Sequence, residues 1–215
     1  MPENLGTLSG AGLSCTAGHR TLFRGLDFTA ESGQWLMLTG PNGSGKSTML
    51  RAMSGLSPFA AGTIRWRGQT PQEIGAGWRA QFLYQGHHAG WKDLFTAAEN
   101  LDWQLRLDQS DGRVGGGVDE ALERVGLRRQ ARLPFMRLSA GQRRRLALAR
   151  LVCARRTIWL LDEPTTALDT AGQQLLGSLL DEHLEAGGCA VIATHQALPC
   201  RSEPVALDLT EAGTR

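Results

Sequence analysis

The segment Gly40-Pro41-Asn42-Gly43-Ser44-Gly45-Lys46-Ser47 constrains this chain more than any other feature. It fits the pattern G-x-x-x-x-G-K-[ST] and stands between an apolar run, Trp35–Thr39, and an apolar-patterned stretch, Thr48–Leu56. A buried strand, a glycine-rich turn and a helix, in that order, make a cradle for phosphate. The glycines let successive backbone N–H groups turn inward, and the following helix points its positive end at the same place. Lys46 adds a point charge and Ser47 a magnesium ligand, so Gly40 through Thr48 are the candidate nucleotide-binding residues. An ordinary glycine-rich turn is the bland alternative, and composition weakens it. Glycine is plentiful at 27 of 215 residues, but only two of the 23 basic residues are lysines, and one of these is Lys46.

Two more apolar runs, Thr157–Leu161 and Ala190–Thr194, share the character of Trp35–Thr39. Strands covered on both faces need such runs, so the three predict the centre of a parallel sheet. Leu22–Phe28 and Gly62–Gly68 alternate apolar and polar residues and read as strands of a half-exposed antiparallel sheet. Thr96 with Glu99 forms a capping box ahead of Leu101 and Leu105. Asp108–Gly117 reads as a glycine-rich loop, and a short helix follows near Asp119–Val125. Thr170–Ala186 is a helix with the stripe Leu176, Leu179, Leu180 and Leu184, stopped by Gly187-Gly188. The expectation is an α/β fold with a P-loop NTPase core: a parallel sheet, an antiparallel β subdomain, and a helical subdomain inserted at about residues 88–150 of a single domain spanning 1–215.

The buried run Thr157–Leu161 ends in Asp162-Glu163. Asp162 can hold magnesium, leaving Glu163 to orient or deprotonate an attacking water in phosphoryl transfer. Seen alone, the pair also reads as an acidic cap for the next helix. Ala190–Thr194 likewise ends in a polar residue, His195. In open parallel sheets the ligand site lies beyond the carboxyl ends of the strands, so Gly40, Glu163 and His195 would converge there, with His195 at the γ-phosphate. A lone histidine at a strand end is otherwise structural.

Leu138-Ser139-Ala140-Gly141-Gln142 has the S-x-x-Q form of a capping box and precedes a helix rich in Arg, Leu and Ala. The five residues alone fit either a plain capped helix or a helix start that approaches phosphate. Arg143-Arg144-Arg145 reads as a solvated helix shoulder rather than a nucleic-acid patch, because neighbouring residues on a helix point to different sides. Net charge is +2, so no global field draws the chain to nucleic acid or anionic lipid. Cys15, Cys153, Cys189 and Cys200 lack metal-ligand spacing. No apolar run approaches the roughly 20 residues that cross a bilayer, and Met1–Gly12 lacks the pattern of a secretory leader, which predicts a cytoplasmic chain.

The phosphate loop, Leu138–Gln142, Leu161-Asp162-Glu163-Pro164, Ala167-Leu168-Asp169 and His195 occur in the order found in ATP-binding-cassette (ABC) ATPases, and the chain resembles that family over nearly its whole length. The resemblance implies ATP and Mg²⁺ as ligands and a head-to-tail homodimer. Ser139, Ala140, Gly141 and Gln142 would then form a signature motif that closes in trans over the ATP of the partner, with Asp169 at the dimer seam. Where most cassettes place a magnesium-contacting Gln, counting back from Glu99-Asn100 gives His87, with Gln85 two residues earlier. The aromatic residue that stacks on adenine should fall near Ala17, where none is present; His19 or Arg20 is the substitute.

Within that family the chain resembles the branch serving bacterial cytochrome c maturation. Gly86-His87, Gly90 with Lys92, Glu99-Asn100-Leu101, Ala140 in the signature, the stretch Arg143–Leu151 and Thr194-His195-Gln196 carry this likeness. It implies heme export or delivery, a membrane-spanning permease partner of the CcmB kind, further cytochrome c maturation components, and a peripheral place on the cytoplasmic face of the inner membrane. A transporter with another cargo keeps the same mechanism. A soluble cassette acting on ribosomes or DNA would carry two cassettes or a long coiled coil, and no sustained heptad pattern is present.

Overall fold

A computed structural model describes residues 6–86, 90–108, 117–154 and 156–210. Strands β1 (Thr7–Ala17) and β2 (Arg20–Glu31) form an antiparallel hairpin. Strand β3 (Trp35–Thr39) and helix α1 (Lys46–Met53) flank the glycine-rich turn, and β4 (Ala61–Trp66) then pairs antiparallel with β1. The first sheet therefore runs β2-β1-β4. Its central strand was invisible to periodicity because Gly10, Gly12 and several small polar residues dilute the alternation. Gly10 sits opposite Phe28 and Ile64, and a Cβ there would come within 2.5 Å of the Phe28 ring.

Helix α2 (Pro71–Ile74) is one short turn with a Thr70/Glu73 capping box. Strand β5 (Phe82–Gln85) leads to the helical segment, α3 (Ala97–Asp108), α4 (Val118–Arg124) and α5 (Ala140–Cys153). Strand β6 (Ile158–Asp162), helix α6 (Thr170–Glu185), β7 (Cys189–Ala193) and β8 (Val205–Asp208) complete the chain. The second sheet has the order β5-β6-β7-β3-β8 and is parallel throughout. The three apolar runs are indeed its centre. β5 and β8 went unread because each has only four residues, too few for a period to show.

Both faces of the central strands are covered, which is why their sequences do not alternate in polarity. On one side Leu36, Leu38, Ile158, Leu160, Val191 and Ala193 pack against α1 and the antiparallel sheet. On the other, Trp35, Trp159, Leu161, Ala190 and Ile192 pack against α3 to α6. The α6 stripe Leu176, Leu179, Leu180 and Leu184 is buried here, each side chain contributing about 1.5–3 kcal/mol. The Thr96/Glu99 and Ser139/Gln142 capping boxes both form.

One buried polar side chain organises the approach to α3. Asn100 donates to the carbonyls of Lys92, Phe95 and Thr96 and accepts from the Lys92 N–H at 2.8 Å. Residues 92–96 are thus folded around it. The glycine-rich loop expected after α3 falls mostly on residues 109–116, outside the described residues.

Candidate functional site

The register of the parallel sheet lines up the strand ends. Asp162 lies opposite Ala193, Ala193 opposite Leu38, and Gln85 opposite Leu161. Gly40, Asp162-Glu163 and Thr194-His195 leave the sheet at this one edge. The turn after β3 depends on glycine: Gly40, Gly43 and Gly45 have φ of 137°, 81° and 106°. At Gly40 a Cβ would meet Ser44 Oγ at 2.8 Å, and at Gly45 it would press on Leu22 at 3.0 Å. Gly45 is therefore packed against the start of β2, just past the exposed hairpin tip of Gly18, His19 and Arg20.

Lys46 is 8% exposed. Its amine donates to Gly40 O at 2.6 Å and Pro41 O at 3.3 Å, and stands 3.2 Å from His195 Nε2. An ammonium can only donate, so this contact makes Nε2 the acceptor and puts the imidazole proton on Nδ1. Glu163 Oε1 lies 3.6 Å from the same Nε2. Lys46 thus meets Glu163 and His195, each more than a hundred residues away in sequence, around one nitrogen.

Glu163 is held in the left-handed region at φ 48°, and Ala167 at 62° closes the same turn. The Glu163 N–H donates to Ala193 O at 2.8 Å, and its carbonyl accepts from Arg144. Asp162 is buried beside it at 6% exposure. Thr194 Oγ1 accepts from the Gln196 N–H at 3.1 Å, fixing the turn that presents His195. Two oxygens near this edge are buried without a hydrogen-bond partner among the described residues, Ser44 Oγ and Gln85 Oε1. His87, the other residue proposed for the magnesium contact, lies outside the described residues.

Ser139 and Ala140 are exposed at the start of α5. The Ser139 hydroxyl accepts from the Gln142 N–H, and among the described residues no hydrogen bond joins Ser139–Gln142 to residues 40–48. Asp169 caps α6 through the Gly172 N–H and pairs with Arg145 at 2.9 Å. That capping bond, followed by Arg145, holds its carboxyl below the usual range.

The solvated-shoulder reading of the arginine run is corrected by the structure. Arg143 donates to Leu138 O and Met136 O and lies over the Phe135 ring. Arg144 donates to Pro164 O and Glu163 O, and Arg145 to Val125 O and Asp169. Burial lowers the Arg144 pKa, opposed by the charges of Asp162 and Glu163. The three do point to different sides, but each finds a partner there. A usable signal was present: Gly141, Arg144 and Arg145 are spaced i, i+3, i+4 and share a helix face.

This fold and this strand-end cluster define a P-loop ATPase of the cassette class. The profile of the family described as "ABC transporter" matches residues 23–166. A structure of a putative ABC transporter ATP-binding protein from Pyrococcus furiosus shares the fold, with a TM-score of 0.80 at 22% identity over 97% of this chain and 100% of that one. Another, a dimeric post-hydrolysis state of an ATP-binding cassette bound to ADP and Pi, gives a TM-score of 0.71 at 25% identity over 88% of each chain. The "Cytochrome c biogenesis ATP-binding export protein CcmA" of Paramagnetospirillum magneticum is 46% identical over 190 residues, 88% of each chain. The chain belongs to the ABC transporter family, in its branch of cytochrome c biogenesis ATP-binding export proteins.

Proposed function

We propose that this chain is the ATP-hydrolysing, energy-coupling subunit of a membrane ABC complex that serves cytochrome c maturation by heme export or delivery. The meeting of Lys46, His195 and Glu163 at the edge beyond the phosphate loop carries the reading, because it joins a phosphate-binding cation to a carboxylate able to act on water.

The residues fit MgATP. The left-handed glycines leave the loop without side chains where phosphate oxygens approach, and the unpartnered Ser44 Oγ is a ready polar group at that loop. Ser47 and Asp162 would hold Mg²⁺, which neutralises phosphate charge and orients the terminal phosphoryl group. Gln85 is the better supported of the two further contacts, since its buried carboxamide oxygen has no partner among the described residues. The Lys46 amine exchanges the Gly40 and Pro41 carbonyls for the phosphates, and the backbone N–H groups of Gly43–Thr48 surround them. Glu163 accepts the proton of the attacking water, while His195 contacts the γ-phosphate.

Ser139 and Ala140 are exposed, and among the described residues no hydrogen bond joins Ser139–Gln142 to the chain's own phosphate loop, which supports action in trans across a head-to-tail homodimer, with Asp169 at the seam. No helix among the described residues is long and apolar enough to cross a membrane. A membrane-spanning permease of the CcmB kind would therefore convert dimer closure into work, with this subunit peripheral on the cytoplasmic face of the bacterial inner membrane. The test replaces the native gene by Glu163→Gln and stains the host's proteins for covalent heme. Loss of all c-type cytochromes supports the assignment, whereas normal staining with a hydrolysis-dead subunit overturns it.

A further inference from the structure

The first two turns of helix α5 touch the turn after β6. Near the start of the helix, the Cβ position of Gly141 is 3.6 Å from Ala167 O. One turn on, Arg144 Nε donates to Pro164 O at 3.1 Å and Nη2 to Glu163 O, and Arg145 pairs with Asp169 at the far end. The Nε and Nη2 edge of a guanidinium is a rigid fork of two parallel donors. Here the fork takes the carbonyls of two consecutive residues, the first of which is Glu163 in its left-handed conformation. A non-glycine residue persists there only when its surroundings over-determine it.

We propose that Arg144 is a positioning residue that fixes the backbone of Glu163 from the helix beginning at Ser139, so that the seating of this helix sets whether its own subunit's Glu163 is aligned for water. The inference rests on the reading of Glu163 as the group that activates water. It makes the signature helix a lever: movement at Ser139, where the partner's nucleotide is contacted, reaches the opposite site's carboxylate through one side chain. Lysine supplies charge without the fork, and glutamine an amide without the charge, so neither replaces the paired donors.

The experiment measures MgATP turnover by the full-length chain carrying Arg144→Lys, Arg144→Gln, Glu163→Gln, and each Arg144 variant combined with Glu163→Gln. Thermal melting checks folding, and whichever Arg144 variant folds is used. A positioning role predicts a kcat fall of about tenfold or more with KM for ATP nearly unchanged. It also predicts MgATP-dependent dimer accumulation like that of Glu163→Gln, and a combined variant no slower than Glu163→Gln alone. Turnover close to that of the unsubstituted chain in a folded Arg144 variant overturns the inference. So do rate losses that multiply in the combined variant, or a rise in KM alone. Failure of both variants to fold would assign Arg144 to stability and likewise overturn it. Full turnover by Glu163→Gln would instead defeat the underlying reading of Glu163, and so separates the two.

Discussion

At the scale of single residues, the site depends on groups whose neighbours leave them few options. Lys46 is buried and bonded only to carbonyls and His195, so Lys46→Ala removes the loop's sole buried cation without a replacement close by. ATP affinity should fall by about ten- to a hundredfold, as titration calorimetry would measure. His183 is a different kind of residue. It stacks on Trp159 at 3.9 Å, near the opposite edge of the sheet, and burial pushes its imidazole down to about 4 from 6.5, against the proton-favouring carbonyls of Cys189 and Thr157. The unfolded chain takes up this proton near pH 6.5 and the folded chain only near 4. Stability is therefore complete above the first value and is lost as the pH falls toward the second, by about 2 kcal/mol between pH 7 and pH 5. His183→Phe keeps a ring against Trp159 and should flatten this dependence, as urea midpoints at the two pH values would show.

Elements depend on a few polar anchors that no periodicity reveals. Asn100 stands out in the sequence only through family likeness, yet its place is physically explicable. Its carboxamide satisfies four backbone groups of residues 92–96 from within the core. Asn100→Ala should cost about 2–3 kcal/mol in chemical denaturation, because these groups lose their partner while still shielded from water. The α6 helix is pinned by closeness instead: a Cβ at Gly177 would stand 2.1 Å from Pro199 O. Gly177→Ala must push the chain at 198–200 away, lowering Tm and loosening the turn that presents His195, which is read as a lower kcat. Strong periodic elements such as α6 and the central strands were legible in the sequence. The four-residue strands β5 and β8 and the glycine-diluted β1 were not, since their places come from pairing with distant strands.

At the scale of the whole molecule, the two proposed halves of a nucleotide site lie in different settings. One half, the phosphate loop with Glu163 and His195, is gathered at the sheet edge. The other, Ser139–Gln142, starts with two exposed residues on the helical segment and has no hydrogen bond to that edge among the described residues. On the proposed reading, such a chain completes its sites only by pairing. Glu163→Gln should therefore run as a dimer in saturating MgATP by light scattering, while Lys46→Ala stays monomeric under the same conditions. A monomeric Glu163→Gln protein would count against the sandwich.

The sequence by itself determined the phosphate loop, the buried strands, the two strand-end acids and the class of protein, because each is a local pattern: spacing of glycines, an unbroken apolar run, a charge where the run stops. Only the tertiary structure decided that Lys46, Glu163 and His195 share one nitrogen, that Gln85 carries an unpartnered oxygen, and that Arg144 grips the turn holding Glu163. The physical reason is that these relations depend on strand register and on which way a helix face turns, and both are set by packing between segments far apart in the chain.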